Sequence, residues 1–258
     1  MEYSAYLFAH FIGEQKDGEQ IYFSVSRDGL HWKDLNDGKP VFYSNVGELG
    51  ARDPFLIRSP WAEEKKYYLI ATDLRIEAGK GWEAAQYFGS RDILIWESED
   101  LVSWKGPKAH TIGVEGAGCV WAPEAIYDES EDAILVFWAS MVERIYAAYT
   151  KDETTKNIVA DFAKTLKPED FKVIPSETLS ELYGVEGPEI FKINDREEWC
   201  LIADRFATGK GYLPLVTKSL KTGAFTVLND TQFDMGVTKK RHGGIIPITE
   251  EEYQRLCK

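Results

Sequence analysis

Short runs rich in aromatic and β-branched residues recur along this chain with polar turns between them, and that pattern restricts it to an all-β fold. Tyr3–Phe11, Gln20–Ser26, Lys66–Thr72, Asp92–Ser98, Ala133–Ser140, Arg144–Thr150, Trp199–Ala203 and Tyr212–Lys218 read as strands. Lys16-Asp17-Gly18, Asn36-Asp37-Gly38 and Asn194-Asp195-Arg196 read as turns. Long amphipathic helices are missing from the pattern. The clearest helix is C-terminal, where Thr249 precedes Glu252 with the spacing of a capping box. One turn is written twice: Ser26-Arg27-Asp28-Gly29-Leu30-His31-Trp32 matches Ser98-Glu99-Asp100-Leu101-Val102-Ser103-Trp104, each after an aromatic strand. Degraded copies stand at Thr150-Lys151-Asp152 and Thr217-Lys218-Ser219-Leu220. Such repeats mark stacked or radial architectures. Divided by five, the 258 residues give units of about 52, near the size of a four-stranded propeller blade. No Pro-, Gly- or Ser-rich linker divides the chain. The expected architecture is therefore one all-β domain over residues 1–258, a five-bladed β-propeller with a short C-terminal helix.

Five segments place a titratable side chain where a loop enters an apolar strand: His10, Asp53, Glu124, Glu186 and His242, separated by 43, 71, 62 and 56 residues. In a radial fold, one such residue per unit converges on a common centre. Pro54, Pro123 and Pro188 stand beside the three carboxylates, and proline at a strand entrance fixes the backbone that aims its neighbour. Paired carboxylates at a common centre suit glycoside cleavage. One carboxyl, protonated, donates to the leaving oxygen, while a second, ionised, activates water or attacks carbon. A third nearby raises the pKa of the acid by repulsion.

The net charge of −13 argues against nucleic acid and against an anionic membrane surface, both of which call for clustered Lys and Arg. Three cysteines without a C-x-x-C pair argue against a disulfide framework or a zinc site, and leave Cys119 and Cys200 as small core residues. The start of the chain lacks a basic stretch followed by an apolar run, and no apolar run approaches about 18 residues. A cytoplasmic location is expected. Eight Trp and thirteen Tyr serve strands and sugar stacking alike.

The segments Gly50-Ala51-Arg52-Asp53-Pro54-Phe55, Trp121-Ala122-Pro123-Glu124-Ala125, Val185-Glu186-Gly187-Pro188-Glu189-Ile190-Phe191-Lys192 and Arg241-His242-Gly243-Gly244, with the S-x-D-x-x-x-W turns, resemble glycoside hydrolase family 43 over about Tyr3 to Thr249. The resemblance implies a five-bladed propeller of the arabinofuranosidase or β-xylosidase type. Such an enzyme hydrolyses arabinose- or xylose-containing oligosaccharides or polysaccharides with inversion. It makes Glu186 the general acid, Asp53 the general base and Glu124 the modulator of pKa. Trp121 would stack on a sugar ring. His10, Arg52, Asp204 and Arg241 would border or contact substrate. No cofactor is required, though His242 would support a central calcium ion or a bound water. The family order has a second Asp-Pro between Trp-Ala-Pro-Asp and Glu-Gly-Pro; here a single acidic motif, Trp-Ala-Pro-Glu, separates Asp53 from Glu186. Two other functions stand beside hydrolysis. One is a glycoside phosphorylase drawing on Arg52, Lys240 and Arg241. The other is a propeller that binds sugar and leaves it intact.

Overall fold

A computed structural model of the chain describes residues 2–61, 65–112, 116–129, 132–141, 160–162 and 172–258. The strand expected at Arg144–Thr150 and the turn copy at Thr150-Lys151-Asp152 lie outside these residues. The chain runs through β1 (Ala5–Phe11), β2 (Tyr22–Ser26) and β3 (Trp32–Asp34), then β4 (Arg52–Arg58), β5 (Tyr67–Thr72), β6 (Asp92–Ser98) and β7 (Trp104–Thr111). Next come β8 (Trp121–Asp128) and β9 (Ala133–Ala139), then the short β10 (Ala160–Phe162) and β11 (Lys172–Ile174). The last group is β12 (Glu186–Lys192), β13 (Trp199–Asp204), β14 (Tyr212–Thr217) and β15 (Thr226–Val227), followed by β16 (Arg241–Ile248). The described strands form antiparallel sheets in the orders β16-β1-β2-β3, β4-β5-β6-β7, β8-β9, β10-β11 and β12-β13-β14-β15.

Strand β1 reads Ala-Tyr-Leu-Phe-Ala-His-Phe and is buried along its whole length, so both of its faces must pack. Alternate residues divide between two cores, as the two-residue period of a strand dictates. Ala5, Leu7 and Ala9 join Leu56, Leu69, Leu94 and Trp96 of the β4–β7 sheet. Tyr6 and Phe8 join Phe191, Cys200, Ile202 and Tyr212 of the β12–β15 sheet. A further cluster, Ile70, Ile93, Val120 and Ala125, seals the β4–β7 sheet against β8. Each fully buried side chain of this size contributes about 1.5–3 kcal/mol. The same packing brings four edge strands together, with β16 against β4 and β12, and β4 against β8.

One expectation fails here. His10 and His242 do not head separate units. Strands β1 and β16 are neighbours in one sheet, with His10 opposite Gly243. Sequence spacing measures distance along the chain and is blind to a strand that returns from the far end to complete the first sheet.

The repeated turns are copies in detail. The hydroxyls of Ser26 and Ser98 accept from the amides of Gly29 and Leu101, each at 2.9 Å. Asp28 accepts from the Leu30 and His31 amides at 2.9 and 2.8 Å, and Asp100 from those of Val102 and Ser103 at 2.9 and 2.6 Å. The indoles of Trp32 and Trp104 donate back to Gly29 O and Leu101 O at 3.1 and 2.9 Å. At the other end of the chain the helix Glu250–Leu256 carries the capping box read from the sequence: Thr249 Oγ1 accepts from Glu252 N, and Thr249 N donates to Glu252 Oε2 at 2.8 Å. Glu252 also takes Arg58 Nη1 at 2.8 Å, which clamps the helix to β4. The helix Trp82–Phe88, after Gly81, was not anticipated.

Candidate active site

Four edge strands carry one extra residue at the same end. In β4, Arg52 faces Thr72 and the next paired residue is Phe55, opposite Ile70. In β8 the corresponding pairs are Trp121 with Ala139 and Glu124 with Phe137; in β12 they are Glu186 with Asp204 and Glu189 with Ile202. In β16 the extra residue is His242, between Arg241 opposite Phe11 and Gly243 opposite His10. The first three bulges share one backbone form, a left-handed residue followed by proline: Asp53 (φ 47°), Ala122 (φ 48°) and Gly187 (φ 52°). Bulges re-aim the side chains beside them. Here the residue before each bulge, Arg52, Trp121, Glu186 or Arg241, turns into one shared cleft of about 510 Å³. Asp53 and His242 line it from the bulges themselves, and Trp82 and Phe206 add aromatic walls.

The three carboxylates are therefore not equivalents. Asp53 is the bulged residue and Glu186 precedes its bulge. Glu124 follows its bulge, at the position that Glu189 occupies in β12, and neither of these two belongs to the cleft lining.

Asp53 is held through Oδ2 and faces an imidazole with Oδ1. Thr72 Oγ1 donates to Oδ2 at 3.0 Å, and His242 Nδ1 stands 3.5 Å from Oδ1. Thr72 in turn accepts from the Ala122 amide at 2.8 Å. Glu186 Oε1 accepts from Arg241 Nη2 at 2.8 Å, while Arg241 Nε donates to the fully buried Asp204. Burial pushes the Glu186 carboxyl above the usual carboxylate range; Arg241 opposes this, and the charges of Asp204 and Asp53 add to it. Burial likewise raises Glu124, with His242 opposing. Glu189 is pushed up to about 8 by burial, against one hydrogen bond from Ile245 N at 3.1 Å. The Tyr212 hydroxyl ties two bulges, donating to Gly187 O and accepting from Gly243 N, each at 3.1 Å. Gly187 is obligatory twice over: its φ is left-handed, and a Cβ there would lie 2.7 Å from His242 Cγ.

Of two further expected contacts, one borders the cleft and the other lies outside it. Arg52 lines the cleft, with Nη1 shared between Glu14 and Glu19, each at 2.9 Å, and its guanidinium over Phe11 and Trp82 at 4.5 and 4.8 Å. It builds the wall. His10 lies outside the cleft, fully buried, with Nε2 3.0 Å from Ser24 Oγ and its basicity suppressed by burial. Its strand is second in the sheet, so its ring faces the interior. Trp82, whose ring centroid lies 6.0 Å from that of Trp121 at 81°, and Phe206 were missed. Trp82 opens the short helix Trp82–Phe88 and Phe206 a single 3-10 turn, both too short to show a period in the sequence. For a calcium ion, His242 offers one imidazole already turned to Asp53. Among the described residues no group of three or more His, Cys, Asp or Glu side chains converges on an ion site. That donor set does not fit an ion held by side chains, and no step below runs through one.

Residues 1–145 and 141–254 match the model of a glycosyl hydrolase 43-related family, described as "Probable glycosyl hydrolase domain". Over 228 residues the chain is 28% identical to an alpha-L-arabinofuranosidase of Bifidobacterium longum subsp. longum, covering 80% of this chain and 21% of the relative. The chain thus spans about a fifth of that relative's length. Among solved structures it resembles the Cellvibrio cellulosa alpha-L-arabinanase complexed with arabinohexaose (14% identity, 95% of this chain and 75% of that one, TM-score 0.39). It also resembles the exo-beta-1,3-galactanase of Phanerochaete chrysosporium (15% identity, 88% and 47%, TM-score 0.36).

Proposed function

Because the chain belongs to the glycosyl hydrolase 43-related family, we propose that its cleft hydrolyses glycosidic bonds in arabinose- or xylose-containing oligosaccharides, with inversion. The observation that carries this reading is the opposed setting of two carboxyls in one cleft. Burial raises the Glu186 carboxyl, as suits a group that gives a proton, while Asp53 accepts from Thr72 Oγ1 and faces His242 across the same cleft. Glu186 passes its proton to the glycosidic oxygen as that bond to the anomeric carbon breaks. Asp53 takes a proton from the water that attacks the carbon from the opposite face. Arg241, anchored by Asp204, is placed to pair with Glu186 once it is ionised. Glu124 acts at one remove, through His242. Trp121, Trp82 and Phe206 supply apolar faces for sugar rings. The sheets act as propeller blades; the five-blade count rests on the five described sheets, of which four supply the cleft.

Phosphorolysis is disfavoured by the state of the cations. Arg52 and Arg241 are each engaged by two carboxylates, and Lys240 is buried against Asp34 at 2.6 Å. Incubation with aryl α-L-arabinofuranoside and aryl β-D-xyloside, with product anomers followed by proton NMR, tests the proposal. Expected is hydrolysis with inversion, indifferent to phosphate and lost in Asp53→Asn. Retention, phosphate dependence or intact glycosides would each overturn it.

A further inference from the structure

Thr72 occupies a position that recurs in four sheets, opposite the residue that precedes the bulge. Its counterparts are Phe11, Ala139 and Asp204. A stacking ring, a methyl and a carboxylate all serve the fold at this point, so nothing in the packing requires a hydroxyl. The hydroxyl stands only where the facing bulge carries Asp53.

The hydrogen bonds around it leave one arrangement of protons. An amide can only donate, so Thr72 Oγ1 accepts from Ala122 N at 2.8 Å. Its single proton is then free for Asp53 Oδ2 at 3.0 Å. That oxygen is occupied as an acceptor. Oδ1, which looks toward His242 Nδ1 across 3.5 Å, is then the less engaged oxygen and the one a proton arriving on Asp53 reaches more readily. Thr72 is fully buried, so water does not compete for either bond.

We propose that Thr72 is a positioning residue for the reaction: polarised by the Ala122 amide of the neighbouring sheet, it locks Oδ2 of Asp53 as an acceptor and directs the proton taken from water onto Oδ1. This rests on Asp53 being the base. The charged and titratable groups that bear on Asp53 are His242 from β16, Glu186 from β12 and Tyr212 from β14; Thr72, from β5, is the neutral one.

The test compares Thr72→Val, which keeps the shape and loses the hydroxyl, with Thr72→Ser, which keeps the hydroxyl. Expected for Thr72→Val is a fall in kcat of about tenfold or more with KM nearly unchanged, because a hydrogen bond to a charged group is lost. The acidic limb of the kcat profile should move to higher pH, since removing a donor to the carboxylate favours its protonated form. Thr72→Ser should restore both. A Thr72→Val enzyme with the parent's kcat and pH profile would overturn the proposal, as would a Thr72→Ser enzyme as impaired as Thr72→Val. If Thr72→Val does not fold, Thr72→Cys, a poorer donor of similar size, must shift the profile the same way; a parent-like Cys variant overturns the proposal. Carboxyl-carbon NMR of Asp53 reads the coupling without turnover. The Asp53 signal should titrate at higher pH in Thr72→Val and return in Thr72→Ser, even in a protein that cleaves neither glycoside. An unmoved titration sinks the inference while leaving the hydrolase reading to its own experiment.

Discussion

The S-x-D turns at the outer ends of two sheets and the bulges at the inner ends of four are both repeated structures, and they treat their carboxylates in opposite ways. In the turns, burial pushes Asp28 up, but amide and side-chain donors from His31 and Leu30 outweigh it and hold the carboxyl at about 2. Asp100 is lowered in the same manner by Ser103 and Val102. In the bulges, burial wins: Glu186, Glu124, Glu189 and Asp204 are all raised. The turns repeat residues as well as geometry. The bulges keep the one-residue insertion, three of them with the same backbone form, and change the residue before it from Arg52 to Trp121 to Glu186 to Arg241. A repeated shape with constant residues stabilises the protein; a repeated shape with varied residues is a scaffold on which chemistry is placed.

The strongest way to break this comparison is at Glu186. Glu186→Gln should slow cleavage of substrates with poor leaving groups by about 10²–10⁴-fold, and of activated aryl glycosides far less, with the thermal midpoint little changed. Equal losses on both substrates would remove Glu186 from the acid's role. Gly187→Ala tests whether the bulge backbone is as fixed as it looks. A left-handed alanine pressed on the His242 ring should cost about 2–4 kcal/mol in denaturant unfolding and displace the imidazole from Asp53. A variant as stable as the parent would show that the bulge can relax.

Glu189 should behave as a liability. Its carboxyl titrates at about 8 in the fold and near 4.3 when unfolded. The folded state therefore holds a proton that the unfolded state releases, and stability falls as pH rises between those values. Glu189→Gln should flatten that decline and gain about 2 kcal/mol at pH 8, with no gain below about pH 4. Melting curves across pH decide it. The turn carboxylates give the mirror image at smaller scale. Asp28 stabilises fully above about pH 4 and loses that contribution as pH falls toward about 2. Asp28→Ala should cost about 1–2 kcal/mol at neutral pH, nothing in strong acid, and leave glycoside cleavage untouched. Loss of activity in that variant would erase the division between the two kinds of repeat.

How far the sequence announces this molecule follows the same division. The turns were legible because every hydrogen bond in them joins residues within a few positions, so a motif and a structure coincide. The C-terminal capping box was legible for the same reason. The two central strands of each four-stranded sheet, β1 and β2, β5 and β6, β13 and β14, could be read from aromatic and β-branched runs, whereas the outer strands β3, β7 and β15 are too short or too polar to show one. The cleft was only half legible. Asp53, Glu186 and His242 do meet there, but Glu124 differs from them in register by two or three residues, which a bulge conceals from anyone counting along the chain. His10 was misplaced because its pairing with Gly243 crosses almost the entire sequence. Thr72 gave no signal at all. A lone threonine ending an apolar strand acquires its meaning from an amide supplied by another sheet.

The pairing of β1 with β16 also bears on how the molecule comes into being. Ala5 lies opposite Ile248, so β1 waits for β16, made far later along the chain, before its sheet is complete. Arg241 and His242 ride on that late strand, and they are the partners of Glu186 and Asp53. Contacts so distant in sequence close slowly, after the loop entropy between them has been overcome. Pairing of β1 with β16 and assembly of the cleft are thus one event. A nascent or partly opened chain has the two cleft carboxylates without the cation and imidazole that pair with them, and it acquires a working site only when it acquires its final fold.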